Sequence, residues 1–65
     1  MNATESIIAT VEGPEGKAEV IELLVPGKNT EYETRFHGKH EMLKWVFPSM
    51  GEAYIEAKKY AGVAN

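Results

Sequence analysis

Four Gly- or Pro-bearing clusters cut this chain at short intervals: "GPEG" (13–16), "PGKN" (26–29), "HGKH" (37–40) and "FPS" (47–49). Each lies between apolar runs and reads as a turn, because Gly supplies positive φ and Pro pre-sets φ for the first turn position. The segments left between them are too short for a helical bundle. They suit strands joined by tight turns, with room for one helix after the last cluster.

The residues within the segments agree. "SIIATVE" (6–12) is short and β-branched, as a strand requires. "TEYETRF" (30–36) alternates, with Tyr32, Thr34 and Phe36 on one face and Glu31, Glu33 and Arg35 on the other. "EMLKWVF" (41–47) alternates too, with Leu43, Trp45 and Phe47 together. "KAEVIELLV" (17–25) mixes Val and Ile with Ala, Glu and Leu, so strand is the reading and helix the alternative. The last segment, 49–62, is a helix. Ser49 and Glu52 fit a capping box, Ala53, Ala57 and Ala61 form an i, i+4 row, and Gly62 is placed to end it. The expected architecture is a single small α+β domain over 1–65. It is a small antiparallel β-meander of three to four strands (about 6–12, 17–25, 30–36 and 41–47) packed against one C-terminal α-helix.

Counting outward from the turns assigns faces. With Gly38-Lys39 as a two-residue loop, His37 faces His40, Arg35 faces Met42, Glu33 faces Lys44 and Tyr32 faces Trp45, so charged and aromatic pairs fall on opposite faces. With Gly27-Lys28 central, Ile21 faces Thr34 and Leu23 faces Tyr32. The helix is then expected over Ile21, Leu23, Tyr32, Phe36, Leu43 and Trp45. The outer face receives Val20, Leu24, Met42 and Val46 among Glu22, Glu33, Arg35 and Lys44. An apolar group rimmed by charge suggests an interaction surface. So does a domain of 65 residues without a cysteine, which has no disulfide to staple it.

The expected function is therefore binding, not catalysis: a protein partner or a second copy held through Val20, Leu24, Arg35, Met42, Lys44 and Val46. No cofactor is called for. His37 and His40 are the candidate metal ligands, but Glu41 points to the other face and leaves them without a third. "GPEG" and "PGKN" lack the spacing of a phosphate-binding loop. No apolar run approaches the ~20 residues of a membrane span, and the start carries Glu5 without a basic region. A soluble, cytoplasmic protein is expected. The net charge of −3 opposes sequence-independent nucleic-acid binding, which relies on Lys and Arg at phosphates.

Nucleic acid is nonetheless the alternative partner. The short sheet followed by "FPSMGEAYIEAKKYAG" (47–62) resembles the integrase arm-binding type of DNA-binding domain, whose helix also follows the last strand after a phenylalanine and a Ser/Thr-type cap. That resemblance implies DNA contact by Arg- and Trp-rich strands. Here the outer positions hold Glu22, Glu31 and Glu33 against only Arg35 and Lys44.

Overall fold

In the computed structural model, which describes residues 3–63, the turn signals deliver one sheet and one helix. The elements run β1 (Thr4–Gly13), β2 (Gly16–Leu24), β3 (Glu31–His37), β4 (Met42–Phe47) and α1 (Met50–Ala61). All neighbours are antiparallel and the order is β1-β2-β3-β4, a four-stranded meander. The segment expected at 17–25 is strand, not helix, and it ends at Leu24. Its β-branched residues are served by sheet neighbours on both sides.

The helix starts and stops as its sequence dictates. Ser49 is extended and its hydroxyl accepts from the Glu52 backbone N–H, while the same hydroxyl donates to the Glu52 carboxylate at 3.0 Å. Gly62 adopts a left-handed conformation (φ 82°). Its N–H donates to Lys59 O, and the Val63 N–H reaches back to Lys58 O at 2.9 Å, closing a Schellman end. The Ala61 carbonyl takes the Glu15 N–H at 3.0 Å, so the β1–β2 turn caps the helix it lies beside.

The core is built on small residues. Ala53, Ala57 and Ala61 are fully buried, as are Ala18 and Val20 on β2. Thr34 on β3 is also fully buried, and its hydroxyl donates to the Ala53 carbonyl at 2.7 Å. Phe36 closes one end of the cluster, with Tyr60 stacked on it at 5.6 Å between ring centroids.

Two turns differ from the count, with unequal consequences. The β3–β4 turn is centred on Lys39-His40, one residue later than Gly38-Lys39, and the Gly38 N–H donates to the Glu41 carbonyl at 2.9 Å. Phe36 therefore opposes Leu43, Thr34 opposes Trp45 and Glu33 opposes Val46. This two-residue shift changes every partner but keeps every face, because side chains alternate with period two. The pairs Glu33–Lys44 and Tyr32–Trp45 do not form.

Between β2 and β3 the chain makes a β-turn at Pro26-Gly27, closed by Lys28 N–H to Val25 O at 3.1 Å, with Gly27 at φ 79°. Pro followed by a positive-φ Gly defines a type II turn. It leaves an odd loop, so Val20 opposes Thr34 and Ile21 opposes Glu33. That is a slip of one residue, and it exchanges the faces of all of β2. Val20 lies under the helix, and Ile21 and Leu23 lie on the outer face, the reverse of the expectation. On β1 a bulge between Ile7 and Ala9 resets the register halfway along the strand.

The small-residue seat gives a stability prediction. Ala57→Leu should destabilise by about 1–3 kcal/mol or more, since a full site has no room for extra methylenes. Thr34→Val should lose about 1 kcal/mol, the net value of a buried hydrogen bond. Urea unfolding measures both, and Ile55→Ala on the exposed side of α1 should leave the midpoint nearly unchanged.

Candidate protein-binding surface

The outer face is not the open apolar patch the turn arithmetic implies. Ile21 sits at its centre and is 1% exposed, although no helix covers that side. The cover is ionic. Arg35 on β3 binds Glu33 through Nε and reaches Glu5 on β1 with a terminal nitrogen at 3.2 Å. Arg35 is opposite Glu19 and Glu5 opposite Leu23, so the Arg35–Glu5 link crosses β2 above Ile21. The bond to Glu33 is the main reason the Arg35 guanidinium holds its proton more firmly than usual; desolvation works against it, and Glu5 adds to the rise. Nearby, His37 Nε2 lies 2.9 Å from a Glu19 carboxylate oxygen.

The residues expected to bind now divide. Arg35, Met42, Lys44 and Val46 are on the outer face. Val20 is fully buried beneath α1 and touches no solvent. Leu24 shares the parity of Val20, so it belongs to the helix side at the open end of β2. Both corrections come from the one-residue slip. Arg35 is committed to Glu33 and Glu5, whereas Lys44, directly opposite it, has no ion-pair partner among the described residues.

Exposed apolar side chains lie at both edges of the sheet, Ile7 and Ile8 on β1 and a group of three on β4, and also on the free side of α1. Met42 is 56% exposed and Val46 51% on the outer side, and Trp45 is 47% exposed on the helix side. Trp45 was assigned to the core by its alternation, and it does tilt against Tyr60 at 5.9 Å between centroids. Its exposure follows from widths. A helix about 10 Å across covers about two strands spaced roughly 4.8 Å apart. Here the buried alanines of α1 sit on β2 and β3, and the outermost strand is only grazed. The signal was available in the sequence: β4 is last in the meander, so it is an edge, and one helix cannot blanket four strands.

The histidine pair does not exist. His37 opposes Met42 and bonds Glu19, while His40 is at the turn centre. Among the described residues no three His, Asp or Glu side chains converge as a metal site would need. Glu41 stands in solvent opposite Gly38, and Phe36 is opposed by Leu43. The same end of the molecule carries an open cleft of about 440 Å³. Phe36, Leu43 and Tyr60 form its apolar lining, and Glu15, Lys39, His40 and Glu41 stand at its solvent-exposed rim. No helix among the described residues is long and apolar enough to cross a membrane.

Compared with protein-family models, curated proteins and solved structures, the chain has no significant match.

The ionic cover makes a second prediction. Arg35→Met strands the mostly buried Glu33 carboxylate and should destabilise by about 1–3 kcal/mol. Adding Glu33→Met to that variant should restore much of the loss, because an apolar pair of similar volume replaces an uncompensated charge. Glu5→Gln should cost under about 1 kcal/mol, as the pair it breaks is half solvated. Thermal melts of the four proteins test the order.

Proposed function

We propose that this protein is a small non-catalytic binding module whose contact surface is β4 and its immediate flank. The observation that carries the reading is the exposure of Met42, Trp45 and Val46 on both sides of an edge strand. Several exposed apolar side chains on one strand suit a contact site better than the same residues scattered singly would. An edge strand also offers a row of unpaired backbone donors and acceptors to any extended partner. Lys44, without an ion-pair partner among the described residues, stands among these side chains as the cation that would set orientation. Of the surface read from sequence, Met42, Lys44 and Val46 are retained. Arg35 supports them by holding the neighbouring face closed.

A nucleic-acid partner fits less well. The outer face presents Glu5, Glu12, Glu19, Glu31 and Glu33 against Lys17, Arg35 and Lys44, and the arginine is already neutralised. Phe36 and Tyr60, which base stacking would need free, are packed on each other.

The test compares affinity capture from the source cells by three immobilised proteins: wild type, Met42→Glu/Val46→Glu, and Ile55→Glu. Partners retained by the first and third and lost by the second are the expected result. Equal retention by all three would remove β4 from the account. Retention of the pure protein on a DNA column, with elution that shifts steeply with salt, would replace the protein-binding reading with the nucleic-acid one.

A further inference from the structure

We infer that the partner of β4 is β4 of a second copy, paired antiparallel about a two-fold axis through Trp45. This rests on the reading of β4 as the contact surface and specifies its occupant. The first support is the backbone. In an antiparallel ladder, residues alternate between bonding one neighbour and the other. The Gly38–Glu41 bond fixes that phase. Leu43, Trp45 and Phe47 direct their N–H and C=O groups at β3, and Met42, Lys44 and Val46 direct theirs at the free edge. What is missing is a strand of matching phase.

The second support is register. A two-fold normal to the sheet pairs only residues of the same face, so its axis passes through a residue, and for a strand spanning Met42–Phe47 the longest overlaps are those about Lys44 and about Trp45. Centring on Lys44 sets two like charges directly opposite, which is unfavourable. Centring on Trp45 gives Trp45 opposite Trp45 and Leu43 opposite Phe47 on the helix side, with Lys44 opposite Val46 outside. The lysines are then only diagonal neighbours. The edge-facing groups of Lys44 and Val46 exchange their hydrogen bonds across the axis. The strand ends at Pro48, which has no N–H to leave unmet.

The third support is the other edge. β1 also exposes Ile7 and Ile8, but it is bulged between Ile7 and Ala9 and carries Glu5 and Glu12, devices that blunt edge pairing. Joining β1 to β4 would also be head-to-tail and would not close. The β4 pair closes at two copies, giving one continuous sheet with both helices on the same side.

The experiment is sedimentation equilibrium of the intact chain, with Val46→Pro as the probe. Residue 46 gives nothing to β3, so proline there removes an edge-facing donor while leaving the monomer's ladder whole. Wild type should approach twice the 7.2 kDa chain mass. Val46→Pro, shown folded by circular dichroism, should dissociate about tenfold more readily or worse. Oxidative trapping reads the register in a chain that has no other cysteine. Trp45→Cys should cross-link between copies, since opposed non-hydrogen-bonded residues lie within disulfide reach, at Cα separations of about 4.5 Å. Lys44→Cys, diagonal and beyond about 7 Å, should not. Cross-linking at 44 and not at 45, a dimer indifferent to Val46→Pro, or a monomer at every concentration would each overturn the inference. A monomer whose captured partners still depend on Met42 and Val46 would overturn the self-pairing alone and leave the binding reading standing.

Discussion

The structure depends on how closely α1 can approach the sheet. Ala53 and Ala57 on the helix meet Ala18, Val20 and Thr34 on the two central strands, Ala61 lies against the β1–β2 turn, and all six are buried to the last per cent. No large side chain holds the layers apart, so the Thr34 hydroxyl can reach a helix carbonyl. Contacts of this kind are weak singly and strong together only at close range. A small domain that buries little surface gains most from packing without gaps. The aromatic residues play a secondary part: Phe36 and Tyr60 seal one end, and Trp45 leans on the margin.

That close seat also fixes what is left uncovered. With α1 centred over β2 and β3, the helix-side residues of β4 receive partial cover at best. The outer face, with no second layer, protects its one central apolar residue differently. Ile21 is shielded by the Glu5–Arg35–Glu33 network, whose charges stay near water while its aliphatic stems lie over the strand. The apolar surface that neither layer absorbs then falls at the edges of the sheet, as Ile7 and Ile8 on β1 and as Met42, Trp45 and Val46 on β4.

Much of the fold was legible in the sequence, because element type depends on local signals. The turn clusters, the alternation of 30–36 and the Ser49–Glu52 and Gly62 caps each act within a few residues. Faces depend on loop parity, which is not local in the same way. The β3–β4 turn was misplaced by one residue, which moved the register by two and left Met42, Lys44 and Val46 on the face assigned to them. The β2–β3 loop was wrong in parity, which moved the register by one and turned β2 over. "KAEVIELL" offered no correction, since Ala18/Val20 and Ile21/Leu23 are both apolar enough to face a core. The decisive clue was size: an alanine row on the helix calls for small residues opposite, and only Ala18 and Val20 supply them.

The two edges of the sheet show how a meander with no covering element can limit its own assembly. β1 is long, and length alone would invite pairing, but the bulge at Ile8 breaks its run of edge groups and its acidic residues repel a like strand. β4 has only its shortness and Lys44. A lone lysine does not forbid pairing; it forbids the registers that bring it onto its own image. Moving the axis one residue, to Trp45, removes that objection and brings together the largest partly exposed side chain of each copy. In the pairing we infer, the same charge that discourages indiscriminate growth of the sheet disfavours the register centred on it, and the edges left after closure would be the two copies of β1.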